Sequence, residues 1–270
     1  MRKFLSLLLT MAMVLSLAVT VNAAAPKEDI TILHTNDVHC DYEKYAKVAT
    51  LHKSADLLVD AGDHVQGGVI GTLSKGEYIV DIMNETGYDF AAFGNHEFDF
   101  GMDNLARLFR MARFPVVCSN YDVTGTPFEG LVKPYVVVRR GGLRIGIFGL
   151  APQPEGLIQA DKCRGIVYKD PIPVAQQMAD LLRNKEHCDA VICLSHLGIR
   201  GIDPASASDE KLVAATSGID AILGGHSHTF MKEPAFYPNA KGQKTPVFHT
   251  GRNGVYVGEW KLTLTPTKKN

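Results

Sequence analysis

Residues 30–39 read ITILHTNDVH. Ile30, Ile32 and Leu33 form the apolar body of a strand, and Asp37-Val38-His39 stands just past its end. Four other places repeat the arrangement. DLLVDA precedes Gly62-Asp63, and DFAAF precedes Gly94-Asn95-His96-Glu97. DAVICL precedes Ser195-His196, and IDAIL precedes Gly224-Gly225-His226-Ser227-His228. An α/β sheet places its ligand site at the carboxyl ends of its strands. Strand ends carrying Asp, His and Asn therefore point to one convergent site.

Outward from these clusters, short β runs alternate with helical periodicity, which is the α/β signature. Strands are expected near 30–36, 56–61, 89–94, 114–119, 135–139, 143–150, 189–195, 220–224, 245–250 and 256–265. Helices are expected near 43–54, 76–86, 102–112, 171–187 and 208–217. Asp170-Pro171 is a helix start signal, followed by Val174, Met178, Leu181 and Leu182 at helical spacing. Arg140-Gly141-Gly142 reads as a hairpin turn. Stretches 151–170 and 229–245 read as loops, and Trp260 as a core residue of the last strand.

The 270 residues and 46% hydrophobic content suit a single domain with a large core, here residues 26–270. A net charge of -1 gives no charge argument for a nucleic-acid polymer or an anionic membrane as partner. Attraction for anions must be local to a site. Arg2 and Lys3, the apolar run Phe4–Val21 and the small residues Ala23, Ala24 and Ala25 read as a secretory signal over residues 1–25. Export to a periplasmic or extracellular space is the expectation, with no membrane span after cleavage. The five cysteines lack C-x-x-C spacing, which argues against a thiolate metal site. Cys118 and Cys193 read as buried apolar residues, and Cys163 with Cys188 as a candidate disulfide.

Asp37 and His39 are two residues apart after an extended run, and i, i+2 side chains of a strand share a face. His226 and His228 repeat the spacing. The candidate metal ligands are Asp37, His39, Asp63, Asn95, His196, His226 and His228. These exceed what one tetrahedral ion needs and suit two ions bridged by a carboxylate. Imidazole, carboxylate and amide oxygen suit Zn, Mn, Co or Fe. Two divalent cations against two aspartates leave the pocket net positive, a local anion site on a near-neutral chain. A lone histidine is more often a surface or core residue than a ligand. His34, His52, His64, His187 and His249 are read that way, His64 because adjacent strand residues point to opposite sides. Glu97 reads as a support for the ligands, and Asn120 as a candidate substrate contact or a strand end.

The ordered series D-x-H, G-D, G-N-H-E, H, G-H-x-H resembles the signature of the calcineurin-like metallophosphoesterases. The fuller strings ILHTNDVH, DAGDHVQG, FGNHEFDFG and GGHSH resemble the catalytic domain of the bacterial 5′-nucleotidase / UDP-sugar hydrolase family, over about residues 30–262. The resemblance implies a four-layer αββα sandwich of two mixed sheets. It implies one metal on Asp37, His39, Asp63 and His228, and a second on Asp63, Asn95, His196 and His226. It implies a catalytic pair, His96 and Asp99, and hydrolysis of nucleotide phosphomonoesters by metal-activated water. Long family members add a C-terminal nucleotide-binding domain. Its expected absence here leaves three alternatives. One is broad specificity or a separate nucleotide-binding polypeptide. Another is a non-nucleotide ester such as a sugar phosphate, cyclic phosphodiester or sulfur ester. The third is a binding subunit, which the intact His96 and Asp99 argue against.

Overall fold

A computed structural model of the chain describes residues 29–201 and 205–263. The signal expected over residues 1–25 lies outside these residues. In chain order the strands are β1 (Asp29–Thr35), β2 (Leu57–Asp60), β3 (Phe90–Ala91), β4 (Val116–Val117), β5 (Tyr121–Asp122), β6 (Val132–Lys133) and β7 (Tyr135–Arg140). They continue with β8 (Leu143–Leu150), β9 (Val167–Tyr168), β10 (Ala190–Ser195), β11 (Ala221–Gly224), β12 (Ala235–Pro238), β13 (Lys244–Phe248) and β14 (Gly258–Thr263). One sheet runs β14-β1-β2-β3-β4-β6, the other β12-β13-β11-β10-β8-β7, and β5 pairs with β9 as a small ribbon.

Both sheets are mixed. The neighbours β1, β2, β3 and β4 run parallel, as do β8, β10, β11 and β13, with antiparallel β14, β7 and β12 at edges. Parallel strands covered on both faces read as continuous apolar runs, and β2, β10 and β11 are buried at every position. Alternate residues serve two layers. Ile32, Leu57 and Val59 of the first sheet meet Ile147, Ile192 and Leu223 of the second in a central seam. Leu33, Leu58 and Ala91 point outward to helices such as Glu77–Thr86 and Met102–Met111. Phe148, Val191 and Cys193 point the other way, to Pro171–Asn184 and Asp209–Ala215. This is the four-layer α-β-β-α arrangement. Ile192 is buried in the seam, and Ile192→Ala should cost about 2–5 kcal/mol.

The helix at Pro171–Asn184 starts where its signals place it. The Asp170 side chain accepts from Ile172 N at 3.0 Å, with proline in the first turn. Gly141 and Gly142 turn β7 into β8 with positive φ at both, as a tight hairpin requires.

Three expectations are corrected. The segment 151–170 contains β9, and 229–245 contains β12, an edge strand of alternating exposure whose prolines mask the pattern. The helix Gly68–Ser74 is absent from the expected set because its two glycines weaken the helical signal. The Cys163–Cys188 disulfide does not form. All five cysteines are free, and these two pack in opposite outer layers. Trp260 is half-buried at the seam's edge. Among the described residues no helix is long and apolar enough to cross a membrane.

Candidate metal centre

The seven candidate ligands follow the carboxyl ends of parallel strands. Asp37 and His39 follow β1, Asp63 follows β2, and Asn95 follows β3. His196 follows β10, and His226 and His228 follow β11. The strand argument for their spacing is corrected here. Asp37, His39, Asp63, His226 and His228 all have positive φ, between 48° and 76°. They occupy the left-handed region, where a residue with a Cβ costs about 1–2 kcal/mol. Strain of this kind collects where function fixes the backbone. The side chains converge because each chain segment reverses sharply after its strand, not because a strand alternates.

Two triads result. Asp37, His39 and His228 form one, and Asp63, His196 and His226 the other, the ligand atoms of each lying within 4.8 Å of one another. In the first, His39 Nε2 is 3.0 Å from His228 Nε2, and Asp37 Oδ1 is 3.4 Å from His228 Nε2. Asp37 Oδ1 also lies 3.8 Å from His196 Nε2, which places the two triads side by side. In the second, His196 Nε2 lies 3.0 Å from Asp63 Oδ2 yet forms no hydrogen bond.

These residues fit a pair of cations on their own geometry. His196 Nε2, His226 Nδ1 and Asn95 Oδ1 are buried donor or acceptor atoms without a hydrogen-bond partner. Such atoms are costly unless something satisfies them. On His39 and His196 the opposite ring nitrogen is already engaged. His39 Nδ1 donates to Gln66 O at 3.2 Å, and His196 Nδ1 to Ala61 O at 2.7 Å. That pattern fixes the tautomer and frees Nε2 for a metal. Burial works against charge on His196, but Asp63 and Asp37 outweigh it and raise its pKa to about 10. Burial, then the neighbouring His196, lowers His226 to about 4. Asp63 is fully buried, which works against its charge; His196 more than offsets this and holds its carboxyl below the usual range. A cation between these groups would take the place of the His196 proton.

Supporting contacts come from Glu97, which the sequence reading gives as a support, and from His64 and Asn36, which it passes over. Glu97 is fully buried and accepts four backbone N–H groups, from Gly94 (2.6 Å), His64 (2.7 Å), Asp63 (2.9 Å) and Val65 (3.1 Å). It ties the Asp63 loop to the Asn95 loop. His64, read as a bystander, is buried 2.9 Å from Asp60 and 3.6 Å from Glu97. Burial opposes its charge, but Glu97 and Asp60 raise its pKa to about 9. Asn36 carries no signal in the sequence reading. Its amide donates to Asp37 Oδ2 (2.6 Å) and Gly251 O (2.9 Å) and accepts from Thr250 N (2.9 Å). Asp37 Oδ2 also accepts from His226 N at 2.9 Å. Oδ2 is thereby pinned, and Oδ1 faces the triad. At Gly94 a Cβ would collide with His196 Nε2 and Asp63 Oδ1.

Beside the first triad, His96 Nδ1 is 2.9 Å from Asp99 Oδ2, and the His96 ring lies 5.4 Å from that of His39. The Asp99 hydrogen bond raises His96 to about 9. Asn120 is not placed as a substrate contact. Its amide donates to Ala151 O and accepts from Ala151 N, both at 2.8 Å, and joins the chain after β4 to that after β8. His249 is buried with Nε2 2.7 Å from Asp209 Oδ2, and His34 is buried with no partner for either ring nitrogen.

Comparisons with known proteins identify the family. Residues 30–230 match the calcineurin-like phosphoesterase family. Human 5′-nucleotidase is 29% identical over 93% of this chain and 49% of its own length. The 5′-nucleotidase precursor of Thermus thermophilus superposes with a TM-score of 0.79 at 28% identity, covering 88% of this chain and 52% of its own. The calcineurin-like phosphoesterase YfkN of Bacillus subtilis superposes with a TM-score of 0.72 at 26% identity, covering 90% and 87%. The chain spans about half the length of the curated relatives it matches. It belongs to the calcineurin-like phosphoesterase family.

Proposed function

We propose that this member of the calcineurin-like phosphoesterases hydrolyses nucleotide phosphomonoesters with two divalent cations held by the paired triads. The observation that carries the reading is the juxtaposition of the two His/Asp triads with the His96–Asp99 pair. Its similarity to 5′-nucleotidases supports the substrate class. Asp37, His39 and His228 would hold one ion, and Asn95, His196 and His226 the other, with Asp63 shared. When bound, such ions polarise the phosphoryl group and lower the pKa of water toward ~7.

The chain's own residues do the rest. His39 and His196 keep Nε2 turned to the ions because Gln66 and Ala61 hold their Nδ1 protons. Asp99 likewise holds a proton on His96 Nδ1 and orients the ring. His96 Nε2 is then available to donate a proton to the departing oxygen and to stabilise phosphoryl charge. The amino-terminal pattern of residues 1–25 supports export. Amino-terminal sequencing of the secreted chain tests that reading, and a retained Met1 would refute it.

The central test compares two variants. His96→Ala should lower kcat by about 10²–10⁴-fold with both metals retained, because His96 is not a ligand. Asp63→Asn should deplete both metals, as measured by elemental analysis of the purified chain. Equal metal loss in the two variants, or phosphate release from no nucleotide, would overturn the assignment.

A further inference from the structure

Two clefts flank the candidate metal centre, and they differ in chemistry. One, of about 480 Å³, adjoins Asp99 and carries Lys75, Asp103, Asp161 and Lys162 among its walls. The other, of about 390 Å³, shares His226 with the second triad. Its walls are Pro152, Leu157, Tyr168, Leu197 and Ala207, with Gln153 and Glu155 at the rim. Among the described residues lining it there is no lysine or arginine, and Glu155 is its only carboxylate. Both volumes fall in the ~300–1,000 Å³ range of small-molecule sites, so composition decides between them.

We propose that the His226 cleft seats the alcohol portion of the phosphoester and selects a nucleoside, an uncharged group with one flat apolar face. The proposal rests on the phosphohydrolase reading above. A phosphoryl group held between the triads has one ester substituent that must leave the centre, and the space beside His226 receives it. The apolar wall rewards a planar group. Tyr168 suits that task because it is fixed twice. Its backbone pairs with Tyr121 in the β5–β9 ribbon, and the Tyr121 ring packs against it nearly perpendicular at 6.2 Å. A ring already ordered loses little entropy on stacking. At the rim, Gln153 Nε2 donates to Glu155 Oε2 at 3.3 Å, a polar pair able to meet ribose hydroxyls or a base edge. The same composition discriminates against charge. A nucleoside diphosphate would leave an anionic nucleotide facing Glu155 with no cation in the walls, so monoesters are preferred.

The test has a binding arm and a kinetic arm. Adenosine, which carries no phosphate, is titrated into the chelator-treated chain by NMR or calorimetry. It should bind, and Tyr168→Ala should weaken it about tenfold, in line with the loss of one base–aromatic stack. In the metal-loaded chain, Tyr168→Ala should raise the KM for adenosine monophosphate about tenfold relative to that for methyl phosphate. Glu155→Lys, at an exposed position where folding is not at stake, should raise the use of adenosine diphosphate relative to the monophosphate several-fold. It keeps the proposal testable if Tyr168→Ala misfolds. Normal adenosine monophosphate hydrolysis with none of these shifts overturns the cleft and leaves the phosphohydrolase reading standing. Adenosine binding lost in Tyr168→Ala, with no ester hydrolysed by the loaded chain, overturns the phosphohydrolase reading instead. A KM shift confined to p-nitrophenyl phosphate, without adenosine binding, overturns the nucleoside assignment in favour of an aryl alcohol.

Discussion

Glu97→Gln removes a charge and half of an acceptor without changing side-chain volume. One carboxylate oxygen accepts from His64 N and Val65 N, the other from Asp63 N and Gly94 N. A glutamine supplies one oxygen, so whichever way it turns, two buried N–H groups meet an NH₂. Each orphaned group costs about 1–3 kcal/mol, which sums to about 2–6 kcal/mol. Against a typical domain stability of ~5–15 kcal/mol this is a large fraction. The damage is also local. The carboxylate ties the amides of Asp63, His64 and Val65 to that of Gly94, so either turn of the glutamine loosens the loop of the candidate ligand Asp63 from the loop leading to Asn95, and metal affinity should fall about 10–100-fold. Urea unfolding in chelator measures the first effect, and calorimetric Mn or Zn titration the second. Glu77→Gln is the control. Glu77 pairs with Arg107 at 2.7 Å but is about 44% exposed, and its loss should stay within about 0.5 kcal/mol. If Glu97→Gln behaves like Glu77→Gln in both assays, the carboxylate is not what holds the ligand loops.

Gly94→Ala should abolish tight binding at the second triad while leaving far-UV circular dichroism unchanged, because the added methyl collides with His196 Nε2 and Asp63 Oδ1; unchanged metal stoichiometry would contradict this. His34 predicts acid sensitivity. Burial, then the neighbouring His249, lowers its folded pKa to about 3 from 6.5. The unfolded chain takes up this proton first, so stability is full above pH 6.5 and falls as pH drops toward 3. The loss is on the order of 4 kcal/mol. His34→Phe should flatten that acid limb in denaturant titrations, and an unaltered slope would refute the assignment.

Much of the centre is legible in the sequence because ligand chemistry is carried by residue type. Asp37, His39, His226 and His228 announce themselves wherever they lie. The strand rule invoked for their convergence does not survive. A rule about extended strands places Asp37 beside His39 and turns His64 away, whereas both ligands are left-handed and His64 lies buried between Asp60 and Glu97. The contacts of Glu97 and Asn36 are hidden for a different reason. Their partners are backbone groups, which have no letter in the sequence. Glu97 reaches amides 32 to 34 residues away, and Asn36 reaches 214 and 215. The fold's layers are legible through its parallel, doubly buried strands. Its short or exposed strands β5, β6, β9 and β12 are not, since a two-residue pairing or an edge strand carries little periodicity.

The candidate ligands are divided between the two sheets, and each triad draws on both. His39 and His228, 3.0 Å apart in space, are 189 residues apart in the chain. No early fragment emerging from a ribosome holds a complete site, so cation loading concludes assembly and cannot nucleate it. The ions should then leave the folding rate nearly untouched and act on the reverse path. To separate the sheets, a loaded chain would first have to release its cations. Loading should therefore appear as a slower unfolding limb of the chevron, with the lifetime of the native state set by metal off-rates.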